Sequence, residues 1–332
     1  MSSLVQLLHP GHGRAVALVD GGDTLRLLSA SRSAYELVQQ ALAAGRPLIE
    51  MAREQATGPS IPYDEAYSGN EWRILTAFDH PAEPGRCHVT GTGLTHRASA
   101  DNRNAMHQAQ AQETDSMRMY RWGVEGGRPE PGTVGTSPEW FYKGNGTILL
   151  GHGATLEVPD FADDGGEEAE IAGVYVIDGD GLPRRVGMTQ GNEFSDHVFE
   201  KKNYLYLASS KLRQCAIGPE LVIDPDFQAV TGRVRILDGD TVRWEKDIRS
   251  GEANMCHSLE NMEHHHFKFP LHRREGDVHV HFFGAGAFSF GEGVRLADGD
   301  VMEVAYHGFG RPLRNPVHVV EGEEALVKVR PV

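Results

Sequence analysis

From residue 86 onward the chain is built of short apolar runs separated by turn residues, and that spacing constrains the fold more than any other feature. The runs read CHVTGTGL, GTILLGHGATLEV, AEIAGVYVI, VTGRVRILDGDTVRWEKDI, DVHVHFFGAGAF and VMEVAYHGFG. They are strand-sized rather than helix-sized, which predicts a mostly β domain with mixed sheets. Asp238-Gly239-Asp240 and Asp298-Gly299-Asp300 both sit in hairpin-turn context, the second inside a strand-turn-strand pattern, VRLADGDVMEV; two copies are too few to mark a repeat. Two stretches carry helical patterns, NRNAMHQAQAQETDSMRMYRWGV and HVFEKKNYLYLASSK.

The segment before this region is organised differently. Residues 14–28 predict a hairpin around Asp20-Gly21-Gly22-Asp23. A helix follows, with Ser31 or Ser33 as N-cap, apolar residues at 34, 37, 38, 41 and 42, and Gly45 as its stop. A polar, Pro/Gly-containing passage then leads to strand-like EWRILTAF and to DHPAEPGR, where we set a boundary near residue 80. The expected class is α+β, mostly β, with residues 1–80 as a small N-terminal α/β accessory domain and residues 81–332 as the main domain.

Net charge narrows the partners. At −15 over 332 residues the chain lacks the basic surface that nucleic acid or anionic membranes require. An anionic substrate would need a local cation. Cys87, Cys215 and Cys256 have no paired spacing, so neither a disulfide framework nor a cysteine zinc site is expected, and a reducing cytoplasm fits. No run approaches the roughly 18 apolar residues of a membrane span, and MSSLVQLLHPGHG does not read as a leader. The NGT sequon at Asn145 is then expected to be idle.

The segment EEAEIAGVYVI raises a charge problem. A strand beginning here sets Glu168 and Glu170 on one face, because strand side chains alternate. Buried like charges repel unless something positive sits between them; the alternative is a solvated pair at the strand entrance. Glu193 follows Gly191-Asn192 just after another expected strand and supplies a third carboxylate. Three carboxylates favour Mg²⁺ or Mn²⁺ over zinc. Lys211 ends an expected helix ahead of Gly218-Pro219. It reads either as a helix-end charge stabilised by the dipole or as a base beside a metal, and spacing does not choose.

Two other motifs are set aside. His264-His265-His266, taken as part of a strand, cannot all reach one ion, since neighbours face opposite ways; one or two imidazoles are expected to line a cavity or make structural hydrogen bonds. FGAGAFSFGEG lacks the following helix that a dinucleotide loop requires.

Taken in order, GTGLTH, FYKGNG, GEEAEIAGV, GMTQGNEFSDH, KLRQCAIGPELV and LADGDVMEVAYHGFGRPLRNPV resemble the fumarylacetoacetate hydrolase superfamily from about residue 86 to the end. The resemblance implies a β-roll of mixed sheets, a homodimer, and a divalent metal held by Glu168, Glu170 and Glu193 with Lys211 near a bound 2-oxo acid. Three departures stand out. Glu193 replaces an Asp usual in an ND pair, FGAGAF from Phe283 replaces a TGTP turn, and GLTHRASADN carries Ser99 and Asn102 where C–C hydrolases carry a water-activating His and Glu.

GTGLTH and NEFSDH resemble more closely a branch of 2-keto-3-deoxy sugar acid dehydratases, whose elimination reaction needs no attacking water. The expected activity is therefore Mg²⁺-dependent (or Mn²⁺-dependent) dehydration of a 2-keto-3-deoxypentonate to 2,5-dioxopentanoate, with Lys211 catalytic and Thr95, His96, Ser99 and Lys143 holding substrate hydroxyls. Rival readings are a C–C hydrolase of acylpyruvates, an oxaloacetate decarboxylase-like enzyme, and a catalytically idle sugar-acid-binding protein.

Overall fold

The computed structural model describes residues 2–107 and 114–332; the side chains of Asn102, Arg103 and residues 105–107 lie outside those described. Among the described residues there are two sheets. The path of the larger, 13-stranded one runs Ser60–Pro62, Thr24–Leu27, Gly13–Asp20, Ser2–His9, Leu221–Ile223, Pro183–Asn192, Ala169–Ile177, Val278–Phe282, Cys87–Gly93 and Glu139–Asn145. Most neighbours are antiparallel, but Val278–Phe282 runs parallel to Cys87–Gly93. The smaller sheet has five strands, ordered Thr241–Ser250, Val230–Asp238, Val301–Tyr306, Leu313–Val319 and Leu156–Val158, the last pair parallel. Ile171 and Met188 of the first sheet pack with Val234, Ile236 and Val304 of the second in one core. The mostly β, mixed-sheet expectation holds.

Local signals explain several elements. Asp20 pairs with Thr24 across the expected hairpin turn. The helix Ala34–Ala44 opens on Ser33, whose Oγ accepts the Glu36 N–H at 3.1 Å, and closes on Gly45 at φ 61°. The N-terminal strand also pairs far away in sequence, Leu4 with Leu221. A boundary near residue 80 therefore keeps one apolar cluster, around Val5, Leu25, Tyr63 and Trp72, on its N-terminal side, and cuts through another that joins Leu4 and Leu37 to Val174 and Val280.

Other expectations need correction. The first helical stretch becomes two helices, Arg97–His107 and Asp115–Gly126, the latter capped by Thr114; residues 108–113, which the pattern also covered, lie outside the described ones. HVFEKKNYLYLASSK breaks into His197–Lys202, a 3₁₀ turn at Tyr204–Tyr206 and Leu207–Ser210, because Asn203 caps the second piece instead of continuing the first. EWRILTAF contributes only Arg73–Ile74. Val294–Ala297 is not a strand: both edges of Val301–Tyr306 are already taken, by Val230–Asp238 and Leu313–Val319.

The histidine triplet is also helical. It lies in Leu259–Phe267, whose N-cap Ser258 accepts the Asn261 N–H at 3.2 Å, with Leu259, Met262 and Phe267 buried. This helix covers the polar face of the strand VHVHF. Val278, Val280 and Phe282 point into an apolar core, while His279 and His281 point the other way. Trp140 Nε1 donates to His266 Nδ1 at 3.1 Å, leaving His266 Nε2 to donate to His279 Nδ1 at 3.0 Å. Thr90 and Thr92 hydroxyls each lie 2.7 Å from a nitrogen of His281. At the margin of this cluster Asp277 lies 3.4 Å from His88, and Glu263 accepts from the Tyr175 hydroxyl.

Burial, and then repulsion from neighbouring imidazoles, holds His266 and His279 well below the ordinary histidine range, and burial pushes His281 down to about 3. The folded protein thus refuses protons that the unfolded chain accepts below about 6.5. Stability contributed by these residues is fully present above that pH and is lost as pH falls toward 3. We expect acid unfolding, followed by circular dichroism in urea, to show stability falling below pH 6.5 by up to about 1.4 kcal/mol per pH unit for each of the three histidines. Stability unchanged between pH 7 and 5 would contradict this.

Candidate metal and substrate site

The strand Ala169–Ile177 is buried along its whole length, and Glu168 stands at its entrance. Glu170 pairs with Gly191 across the antiparallel neighbour, and the Glu193 N–H donates to the Glu168 carbonyl at 2.9 Å. Two strand ends thereby face Glu168, Glu170 and Glu193 at one point, where an oxygen from each lies within 4.8 Å of the others and all three residues are buried. Among the described residues this is the one such group.

Cations meet only part of this charge. Lys211, the C-cap of Leu207–Ser210, brings Nζ to 2.5 Å from Glu168 Oε1, 2.6 Å from Glu193 Oε2 and 3.1 Å from Ser195 Oγ. Its ammonium also lies 4.9 Å from the Phe141 ring centre. Lys143 Nζ reaches Glu193 Oε1 at 2.7 Å and the carbonyls of Phe194 and Lys211 at 2.5 and 3.0 Å. Two of its protons go to those carbonyls and its charge faces Glu193, so it holds Glu193 and the loop beneath. His197 Nε2 lies 3.0 Å from Glu168 Oε1. Glu170 has no cationic partner among the described residues; its bond is the Gly284 N–H, 2.7 Å from Oε2.

The protonation pattern follows. Burial raises Glu168, but the Lys211 charge and His197 outweigh it and hold the carboxylate well below its usual range. Burial lowers Lys211, but Glu168 and Glu193 outweigh it and keep the ammonium charged. Glu170 goes the other way, raised well above its range by burial and by the charges of Glu193 and Glu168. The cluster lacks positive charge at Glu170. An all-oxygen, carboxylate-rich donor set suits a hard divalent ion, and this triad is able to bind one.

The residues expected to hold substrate are distributed unevenly. Thr95 Oγ1 donates to the Phe283 carbonyl at 2.7 Å and lies 2.9 Å from His96 Nδ1, one peptide away from the Gly284 N–H that holds Glu170. Ser99 is buried in the first turn of Arg97–His107, with no hydrogen bond from its hydroxyl to the three carboxylates. The side chain of Asn102 lies outside the described residues.

Four contributors were not singled out from sequence. Ser195 and His197 belong to the quoted motif NEFSDH, which was the available signal, but only folding the loop back over Glu168 reveals their use. Gly166 admits His197, since a Cβ there would sit 2.2 Å from Nδ1. Gly284 had no signal beyond the unusual FGAGAF turn. Two surface cavities, of about 610 Å³ beside Tyr67 and His152 and about 400 Å³ beside Arg46 and Arg185, share no residue with the carboxylates. No helix among the described residues is long and apolar enough to cross a membrane.

No family model and no curated protein matches the chain. Solved structures do. A 2-keto-3-deoxy-D-arabinonate dehydratase complexed with magnesium and 2,5-dioxopentanoate aligns with TM-score 0.70 at 19% identity, covering 97% of this chain and 100% of that one. A 5-carboxymethyl-2-hydroxymuconate delta-isomerase from Mycobacterium smegmatis aligns at 0.58 and 19%, covering 96% and 100%. A 2-hydroxyhepta-2,4-diene-1,7-dioate isomerase from Mycobacterium marinum aligns at 0.58 and 18%, covering 96% and 99%. The chain has the fold these enzymes share.

A raised Glu170 holds a proton that a cation must displace, so cation affinity should rise with pH. Calorimetric titration with Mn²⁺ in buffers of different ionisation heat should detect proton release on binding, and binding that tightens as pH rises. Glu170→Gln should weaken binding and remove the release. Equal affinity at pH 6 and 8 would show that Glu170 does not face the ion.

Proposed function

We propose that this protein is a Mg²⁺-dependent (or Mn²⁺-dependent) hydro-lyase of the fumarylacetoacetate hydrolase superfamily that converts a 2-keto-3-deoxypentonate to 2,5-dioxopentanoate. The observation that carries the reading is the buried carboxylate triad, closed by Lys211 and left without a cation at Glu170. A fold shared with a magnesium-containing dehydratase supports it, as does the ordered set of motifs in the sequence. The absence of the water-activating pair at Ser99 and Asn102 favours elimination over hydrolysis.

Glu168, Glu170 and Glu193 would hold the ion. When bound, a divalent cation supplies positive charge that withdraws electrons from the carbonyl of a 2-oxo acid and acidifies the proton on the adjacent carbon. Lys211 Nζ, bonded to two of the carboxylates, is the group we assign to that proton at C3. Once the carboxylate charge is neutralised, burial alone acts on Lys211 and favours the neutral amine, which accepts a proton. Lys143 keeps Glu193 aimed, and Ser195 Oγ, within 3.1 Å of Lys211 Nζ, steadies the lysine. The C3–H electrons form the C3–C4 double bond as hydroxide leaves C4; loss of a C5 proton and protonation of the carbon chain then give the C5 aldehyde. We assign the catalytic role to residues 81–332, and take a homodimer in a cytoplasmic setting as the working form.

Treatment with EDTA should abolish activity, and Mg²⁺ or Mn²⁺ should restore it; full turnover by metal-stripped protein would sink the mechanism. In deuterated solvent, 2-keto-3-deoxypentonate should yield a five-carbon dioxo acid labelled on its skeleton. Pyruvate plus a two-carbon aldehyde would instead reveal C–C cleavage. Lys211→Met should cut turnover by about 100-fold or more while Mn²⁺ still binds. Turnover near that of the unaltered protein would return Lys211 to a purely structural role.

A further inference from the structure

One peptide unit links the carboxylate cluster to a buried imidazole. The Gly284 N–H donates to Glu170 Oε2 at 2.7 Å, and the carbonyl of the same peptide, that of Phe283, accepts the Thr95 hydroxyl at 2.7 Å. Thr95 has a single hydroxyl proton, and Phe283 receives it. The Thr95 oxygen must then accept from His96 Nδ1, 2.9 Å away. The imidazole is thereby fixed with its proton on Nδ1 and a bare lone pair on Nε2. That Nε2 is buried and has no hydrogen-bond partner, in a residue only 4% exposed.

The surrounding backbone is built to keep this chain together. Leu94, immediately before Thr95, adopts φ 54°, a left-handed conformation that costs energy for a side chain of its kind. Gly284 leaves the room that Thr95 uses, since a Cβ there would lie 2.0 Å from Oγ1. The Cys256 N–H fixes the Thr95 carbonyl at 2.9 Å. Burial pushes His96 down to about 4, so the ring stays neutral and Nε2 remains an acceptor at working pH. Successive hydrogen bonds from Glu170 through the peptide and Thr95 polarise one another in a low-dielectric interior, which strengthens that acceptor.

We propose that His96 Nε2 accepts a hydrogen bond from a hydroxyl of the substrate beyond C3, and that Thr95 is the positioning residue which locks His96 in the accepting tautomer. The inference rests on the dehydratase reading and names the specificity device of that site. It also divides the expected roles: His96 touches substrate, whereas the Thr95 hydroxyl is fully committed inside the protein. A buried acceptor satisfied only by a hydroxylated ligand discriminates against an analogue lacking that hydroxyl, because the lone pair then stays unpaired.

The test compares 2-keto-3-deoxypentonate with 2-oxopentanoate, which has no hydroxyl. Binding of each is titrated calorimetrically into Mn²⁺-loaded protein carrying Lys211→Met to suppress turnover, and turnover of the first is measured with Lys211 intact. With His96 present, the hydroxylated acid should be preferred by on the order of 100-fold. His96→Phe should reduce that preference to within about threefold while leaving Mn²⁺ affinity and 2-oxopentanoate binding intact. Thr95→Val should lower the preference by about tenfold, and Thr95→Ser should restore it. In ¹⁵N-histidine-labelled protein, a signal absent from His96→Phe should report the Nδ1–H tautomer, and Thr95→Val should convert it to a tautomer mixture. Should His96→Phe fail to fold, the Thr95 pair and the tautomer signal decide alone. An undiminished preference in His96→Phe, or an unchanged tautomer in Thr95→Val, would overturn the proposal. Hydroxyl preference without any dehydration would overturn only the dehydratase reading and uphold the role of His96.

Discussion

Three carboxylates gathered away from water are the constraint on which the rest of the site depends. Left bare, each would be driven to take up a proton, and together they would push the two strand ends apart. The fold answers with two lysines and a histidine for Glu168 and Glu193. Glu170 is treated differently. It receives a backbone N–H but no cationic side chain among the described residues, so burial and the charges of Glu193 and Glu168 favour its protonated form, and the shortage of positive charge is localised at one oxygen-lined point. This asymmetry distinguishes the triad from a buried ion-pair network in which every carboxylate is matched.

The scaffold supplies rigidity for that arrangement. Glu168 and Glu170 are spaced by the strand period, and Glu193 arrives on the neighbouring strand with its backbone N–H bonded to the Glu168 carbonyl. Lys143 comes from Glu139–Asn145 at the far end of the sheet path, and Lys211 from a short helix pinned by Lys143 itself through its carbonyl. Loss of any one member therefore disturbs the others through shared bonds.

Much of this could be read in the sequence, and the reasons for the failures are specific. Alternation along EEAEIAGVYVI revealed the Glu168–Glu170 pair because strand periodicity is a local property. The hairpin at Asp20–Asp23 and the Ser33–Gly45 helix were legible on the same ground. Contacts between distant segments were not. Nothing near Lys143 indicates that Phe194 and Lys211 carbonyls will consume its protons, and nothing near Thr95 indicates Phe283. The histidine triplet misled because three polar residues in a row carry no period of their own; Ser258 and the spacing of Leu259, Met262 and Phe267 were the decisive helix signals. Asn203 likewise stops a helix that the apolar pattern alone would have continued.

The pairing of Ser2–His9 with Leu221–Ile223 has a consequence for how the protein is made. During synthesis the N-terminal hairpin emerges first and has its own apolar cluster to collapse upon. Its outer partner leaves the ribosome only after both strands that bear the metal-candidate carboxylates. Arg73–Ile74 covers Leu7 and Leu8 early, but throughout that interval the part of the edge at residues 2–4 presents unpaired backbone groups, an adhesive surface for any other extended chain nearby. Completion of the central sheet thus becomes a late event in the life of the polypeptide, and the period of translation between those two segments is when it is most exposed to mispairing with its own copies.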